Sequence, residues 1–116
     1  MNMIYQEPKL ISIDIVRLFL LEKDINNSIK GIISLSIYGK NRKDIYHFIK
    51  NTLLSSDNKD IKIACIKSIG NIVRIDNFID EELLGFLEFL RKEEYYQGVL
   101  SDLYDDIDIF INCKIN

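Results

Sequence analysis

The side chains with catalytic potential are few, and their spacing does not assemble a reaction centre. Acidic residues occur as adjacent pairs at 81–82, 93–94 and 105–106. Neighbouring residues on a helix point about 100° apart, so the two members of such a pair do not share one site. The only histidine, His47, and the thiol of Cys65 fall on different predicted helices, with no third group to orient them as base and nucleophile. We therefore expect no enzymatic activity.

The sequence also predicts neither a metal site nor a cofactor. Two cysteines and one histidine cannot fill a four-ligand zinc shell. Cys65 lies within an apolar helical pattern, which predicts a buried thiol rather than a disulfide with the distant Cys113. No glycine-rich loop follows a strand, so a phosphate cradle is not supported. Asp102 and Asp106 can share a helix face, but no histidine accompanies them to complete a ligand set.

Acidic residues are concentrated in the last third of the chain. The net charge is +1 over residues 1–40, +4 over 41–75 and −8 over 76–116, which gives −3 overall. Three tyrosines lie in the acidic third, and aromatic side chains beside carboxylates suit the binding of a cationic protein surface. The sequence therefore predicts a partner-binding surface formed by Tyr95, Tyr96, Asp102, Tyr104, Asp105, Asp106 and Asp108.

Two other interpretations of the charge stay open. The acidic excess could serve solubility alone. The middle of the chain could contact nucleic acid, although its basic residues are spread over two predicted helices in a chain with a pI of about 5.1. A solvated face is the favoured interpretation, and nucleic acid is not the expected partner. The basic residues concerned are Arg42, Lys43, Lys50, Lys59, Lys62, Lys67 and Arg74.

Five segments carry the apolar period of an amphipathic helix, and a weaker sixth follows. They span residues 9–22, 27–38, 42–55, 60–75, 81–93 and 95–105. Apolar residues cover most of the circumference of the first helix, which predicts packing on more than one side. We expect Gly39 to end the second helix in a left-handed cap and Asp80 to cap the fifth. Residues 106–111 alternate between acidic and apolar side chains, so a helix, a strand and an extended tail over 106–116 all remain open.

Helices two and four resemble each other when the chain is shifted by 34 positions. Ile32 then aligns with Ile66, and Leu35 with Ile69. Two-helix repeats with a period of about 30–47 residues are typical of α-solenoids. Residues 60–70, which read DIKIACIKSIG, resemble the second helix of a HEAT repeat: an Asp, an apolar–basic pair, then small and aliphatic residues before a glycine. The resemblance implies that the second helices of the pairs line a binding surface.

These patterns together define the expected fold. One proline and five glycines leave little material for a loop-rich all-β protein. Short helices joined by turns of a few residues favour antiparallel neighbours. We predict one all-α domain over residues 1–116, with five or six short antiparallel helices arranged as a HEAT-like α-solenoid or as a compact right-angled helical stack.

The start of the chain carries no pattern typical of export or membrane insertion. No basic segment precedes an apolar core with a cleavage site, so a signal peptide is not expected. The apolar run over residues 15–21 is interrupted by Arg17 and is far shorter than the ~20 residues that a membrane span needs. Isoleucine, lysine and asparagine are frequent and share A/T-rich codons, which indicates an A/T-rich bacterial gene or a mobile genetic island. We therefore expect a soluble, cytoplasmic, monomeric bacterial protein that does not contact membranes.

A small, acidic, helical protein of this composition resembles in type the immunity proteins of bacterial contact-dependent growth inhibition systems. That resemblance implies tight binding to a toxin domain, such as a nuclease, and occlusion of its active site. The acidic and tyrosine side chains would then fill the toxin's basic cleft. The alternative is a HEAT-like scaffold or regulatory adaptor with another protein partner.

Overall fold

The computed structural model describes residues 11–112. It confirms the all-α helical stack: the described residues form six α-helices and a short 3-10 turn, and they contain no strand. None of the described helices has the length and apolar character that crossing a membrane requires. The helices are α1 (Ile13–Leu21), α2 (Ile25–Tyr38), α3 (Arg42–Ser55), α4 (Lys59–Asp76), α5 (Glu81–Leu90) and α6 (Gln97–Phe110), and the 3-10 turn is Glu94–Tyr96.

The even-numbered helices form one layer of the stack. In this layer α4 lies between α2 and α6, while α1 packs on α2 and α3 packs on α4. Contacts in the layer join residues about 34 positions apart; the Asn71 side-chain amide, for example, donates to Ser36 Oγ at 2.9 Å. The shift found in the sequence is therefore also the offset between neighbouring helices. Membership of the HEAT family remains a prediction.

One apolar core runs through the helices, and α4 supplies its centre. Ile66, Ile69 and Val73 are fully buried. Burying one such side chain stabilises the fold by about 1.5–3 kcal/mol relative to leaving it exposed. Cys65 is buried beside them as a free thiol, as predicted, and this burial raises its pKa to about 12. Cys113 lies outside the described residues.

Side-chain caps mark where α1, α2 and α4 begin. The side chains of Ser12, Asp24 and Asn58 each accept a hydrogen bond from a backbone N–H three residues further on. Such caps satisfy N–H groups that the helix itself leaves free. As a result α1 begins at Ile13 and α2 at Ile25, whereas periodicity alone predicted starts at residues 9 and 27. The predicted start at residue 9 lies outside the described residues.

The prediction of a left-handed cap at Gly39 is wrong. Its backbone is extended, with φ −66° and ψ 146°. A Cβ added to Gly39 would lie 2.0 Å from Ile45 Cδ1 and 2.7 Å from the Leu35 carbonyl oxygen. Glycine is needed here because α2 and α3 approach closely, and not because the backbone adopts a positive φ.

The last two helices differ from their predicted bounds. Helix α5 ends at Leu90, where residue 93 was predicted, and the 3-10 turn leads into α6. Residues 106–110 belong to α6, so the strand and extended alternatives are wrong for them. The helix continues because Ile107 is buried in line with Leu100 and Leu103, while Ile109 is 58% exposed despite the alternating sequence. Residues 113–116 lie outside the described residues.

Among residues 11–112, helix α1 packs mainly on α2, whereas its sequence pattern predicts packing on more than one side. Only Val16 and Phe19 of α1 are buried, while Leu18 and Leu21 are 55% and 78% exposed. Helix α1 stands at the end of the stack, where α2 is its main neighbour. Within the part of the chain that the structure describes, the apolar circumference of α1 therefore overestimated how many elements surround it.

Candidate functional site

The predicted partner-binding residues lie on the 3-10 turn and on α6, but they do not all reach the surface. Tyr95 is 49% exposed, whereas Tyr96 is only 1% exposed and belongs to the core. The Tyr95 and Tyr96 rings meet edge to face, with centroids 5.3 Å apart. Tyr96 therefore supports the fold, and its predicted role as a surface anchor does not hold in this structure.

The four predicted aspartates of α6 point in different directions. Asp102 and Asp106 line a groove towards α4, whereas Asp105 lines a depression beside Tyr104. Asp108 is exposed and accepts a hydrogen bond from the Asn112 side-chain amide at 3.0 Å. Because helix positions advance by about 100° per residue, the carboxylates spread over the solvent-facing half of α6 and do not converge on one point.

One of the four aspartates is neutralised inside the molecule. The Arg74 guanidinium donates to the Asp106 carboxylate and to the side-chain oxygen of Asn71. The Asn71 amide in turn donates to Ser36 Oγ. These contacts form a polar chain across α2, α4 and α6, so Asp106 stabilises the packing of these helices. Its carboxylate is already paired with Arg74 and is therefore not free to pair with a cation of a partner.

A groove with a volume of about 400 Å³ lies beside this polar chain, between α2, α4 and α6. Its apolar lining includes Ile33, Ile66 and Val99. Lys67 and Asp102 also line it, but no direct ion pair joins them within 4.0 Å. Since Lys67 and Arg74 balance Asp102 and Asp106, the groove as a whole carries no net charge.

The two accessible tyrosines are held in place by contacts within the chain. Tyr95 donates its hydroxyl to Asp60 at 3.2 Å, and Lys59 Nζ lies 4.9 Å from its ring centroid. Tyr104 donates its hydroxyl to Glu88 at 2.7 Å. Burial, together with this hydrogen bond, raises the pKa of Tyr104 to about 12. Both phenols therefore stay neutral near pH 7, and their rings are positioned before any partner arrives.

Several acidic side chains remain without a basic partner. Among the described residues of the last third, six carboxylates have no Lys or Arg nitrogen within 4.0 Å. The sequence interpretation left out three of them, because acidic pairs usually mark solvated helix ends. We call five of them, with two tyrosines, the acidic end: Glu93, Glu94, Tyr95, Asp102, Tyr104, Asp105 and Asp108. The sixth unpaired carboxylate is Glu81, at the start of α5.

The most buried ionic cluster joins α3 to the start of α5, and the sequence did not reveal it. Lys50 Nζ, on a residue only 6% exposed, lies 2.6 Å from both Asp80 and Glu82. Tyr46 donates its hydroxyl to Asp80 at 2.8 Å, and Asp80 accepts the Leu83 N–H at 3.0 Å. This last bond confirms Asp80 as the cap of α5.

Ionisation of this cluster is coupled. Partial burial by itself raises the pKa of Asp80, but hydrogen bonds from Lys50, Tyr46 and the Leu83 N–H outweigh burial and lower it. Hydrogen bonds to Asp80 and then to Glu82 raise the pKa of Lys50, so the ammonium stays charged. The arrangement is a stable ion network, with no nucleophile poised against a base.

The basic residues of the middle segment are partly engaged in such pairs. Arg42 pairs with Asp76, Lys50 with Asp80 and Glu82, and Arg74 with Asp106. Lys59 covers the Tyr95 ring. The remaining cations, Lys43, Lys62 and Lys67, are few for a surface that must follow a phosphate backbone.

Among the described residues, no group of three or more His, Cys, Asp or Glu side chains is arranged to hold a metal ion. The lone His47 is exposed, as expected for a surface histidine. Comparison with protein-family models, curated proteins and solved structures found no match to this chain.

Proposed function

We propose that this protein binds a cationic protein domain through the acidic end and blocks it, as an immunity protein blocks a toxin domain. The observation that carries the proposal is a set of carboxylates that have no ion-pair partner among the described residues. They lie around the 3-10 turn and along α6, the same elements that carry the two pre-positioned tyrosines, Tyr95 and Tyr104. A nuclease must attract phosphates, so its active-site cleft is basic. Carboxylates on a rigid helix can occupy such a cleft in place of phosphates.

The two kinds of side chain have different tasks in this mechanism. An exposed carboxylate contributes under ~1 kcal/mol to affinity, because water and salt screen it. Several carboxylates together speed association by steering a cationic partner towards the surface. An aromatic side chain that becomes buried on binding contributes about 2 kcal/mol or more. Affinity should therefore depend mainly on Tyr95 and Tyr104, and the association rate on the carboxylates.

The experiment begins with the partner. A pull-down from the native host with mass spectrometry identifies it, and a toxin gene beside the gene for this chain would support the immunity role. Association rates of the two purified proteins are then measured by stopped flow at several salt concentrations. The test variant carries Asp102→Asn, Asp105→Asn and Asp108→Asn. The matched control removes three exposed charges elsewhere, by Glu22→Gln, Asp44→Asn and Asp57→Asn.

We expect the test variant to associate about tenfold more slowly and to lose most of its salt dependence, since steering raises association rates by about 10–10³. The control variant should have nearly the same association rate and salt dependence as the unmodified protein. Equal effects of the two triple variants would refute the role of the acidic end. Turnover of a substrate by the purified chain would refute the inhibitor function altogether. A cationic partner without toxin activity would favour the HEAT-like adaptor.

A further inference from the structure

An exposed aromatic side chain lies where α4 connects to α5. Phe78 follows Asn77, which has a φ of 55° and whose backbone N–H caps α4 by donating to the Val73 carbonyl. The Phe78 ring packs edge-on against Tyr46, with centroids 5.1 Å apart. Tyr46 is itself anchored to Asp80 through its hydroxyl. Phe78 nevertheless leaves 49% of its surface exposed.

Phe78 forms one wall of a small cavity between α3 and α4. The cavity has a volume of about 230 Å³ and is lined mainly by apolar groups of Tyr46, Ile72 and Phe78. This volume equals that of about eight water molecules, which is enough for one large side chain. An exposed aromatic side chain beside a side-chain-sized cavity is typical of an interaction hot spot.

The charge that the cavity offers to a ligand is positive. Its lining includes Arg42, Asp76, Lys43 and His47. Arg42 donates to Asp76 at 2.8 Å and to backbone carbonyl oxygens at the end of α2, so these two charges cancel. Lys43 has no carboxylate within 4.0 Å among the described residues. An anion beside the apolar cavity would therefore meet an available cation.

We propose that this cavity binds an acidic segment of a second protein, which inserts a large apolar side chain next to its carboxylates. The apolar walls select the side chain, and Lys43 favours the flanking negative charges. The preference is opposite to that of the acidic end. The site is therefore independent of the proposed function and would stand if that function failed.

The test uses the full chain labelled with ¹⁵N and a capped tripeptide, acetyl-Glu-Phe-Glu-amide. We expect saturable shifts of the backbone signals of Tyr46, His47 and Phe78, with a Kd of about 1 mM for a ligand of this size. Two control peptides, acetyl-Lys-Phe-Lys-amide and acetyl-Glu-Ala-Glu-amide, should bind at least about fivefold more weakly. The first lacks the negative charges, and the second lacks the large apolar side chain.

Variants of the chain distinguish peptide binding at this cavity from nonspecific binding elsewhere on the surface. Phe78→Ala should weaken peptide binding about tenfold and the exposed Lys43→Gln about threefold. The matched control is Phe89→Ala, which removes another exposed phenylalanine, 59% accessible, from α5 and should leave binding unchanged. The proposal is overturned if no saturable shift occurs up to ~10 mM peptide. It is equally overturned if the lysine peptide binds as well, or if Lys43→Gln has no effect.

Discussion

Tyr95 and Tyr96 are adjacent in the chain, yet they have opposite environments. Both lie on a single 3-10 turn, where successive side chains point in different directions. Tyr96 turns into the core against the buried leucines, while Tyr95 lies over the start of α4 and bonds to Asp60. Composition and charge treat the two residues alike, so at this scale only the packing assigns their roles.

This difference predicts unequal effects on stability. Tyr96→Ala should lower the free energy of unfolding by about 3–5 kcal/mol, because it removes a buried aromatic ring and leaves a cavity. Tyr95→Ala should lower it by only about 1 kcal/mol, since the ring is half exposed and the substitution removes its edge-to-face contact with Tyr96, the Lys59 contact and one exposed hydrogen bond. Urea unfolding followed by circular dichroism measures both values. Similar losses for the two variants would contradict the assignment of Tyr96 to the core.

The environment of Asp80 predicts how the stability of the fold depends on pH. Its folded-state pKa is lowered, so the stability that its carboxylate contributes is present above the unfolded pKa of ~3.9 and is lost as pH falls below that value. Asp80→Asn should therefore cost about 2 kcal/mol at pH 7, where a buried cation loses a charged partner, and much less near pH ~3.

The measurement for Asp80 is urea unfolding at both pH values. Asp57→Asn serves as the control, because Asp57 is exposed and makes no ion pair among the described residues. At pH 7 the control should have the same free energy of unfolding as the unmodified protein. A loss for Asp80→Asn that is the same at low and neutral pH would show that the carboxylate's charge is not the source of the stability.

At the scale of the element, glycines in similar helical positions have different reasons to be glycine. A Cβ added to Gly85 of α5 would have no neighbour within 4 Å. A Cβ added to Gly31 of α2 would lie 2.7 Å from Cγ2 of Val16, which is fully buried. Gly31 therefore permits the close approach of α1 and α2. Gly85 has no such role and only lowers the helix propensity of α5.

Alanine substitutions test this contrast. Gly85→Ala should raise the free energy of unfolding by about 0.5–1 kcal/mol, because alanine favours the helix and meets no obstacle. At Gly31 the same gain is opposed by overpacking of about 1–3 kcal/mol against the stiff Val16 side chain. We expect Gly31→Ala to leave stability unchanged or lower it in thermal unfolding. An equal gain at both positions would contradict the close contact between α1 and α2.

At the scale of the whole molecule, charge is distributed along the stack. The described residues extend over 49 × 28 × 20 Å. The net charge is +5 over residues 1–75 and −8 over residues 76–116, where the acidic end lies. Among the described lysines without an ion pair, most lie before α5. A molecule with separated charges orients an approaching charged partner before contact, which is the effect that the proposed function uses.

The same distribution predicts weak contact with nucleic acid. Three of the seven middle cations are engaged in ion pairs, and the chain carries a net charge of −3. In a gel-shift assay with RNA and duplex DNA at ~50 mM salt, where phosphate contacts are strongest, we expect no retarded band. Retardation that disappears as salt is raised would instead support a nucleic-acid-binding surface on α3 and α4.

Much of the fold could be predicted from the sequence, because it depends on periodicity within one segment. The apolar spacing located all six helices, and α3 begins and ends at the predicted residues. The inward residues of α4, including Cys65, follow from the same spacing. The excess of acid in the last third is a property of composition, so no folding was needed to find it.

Other features were decided only by the tertiary structure, because they depend on which residues meet across helices about 30 positions apart. The pairing of Arg74 with Asp106 removed one carboxylate from the predicted surface. The burial of Tyr96 and the exposure of Leu21 reflect how many neighbours each element has. Periodicity shows which side of a helix is apolar, whereas only packing determines what that side contacts and which charges stay free.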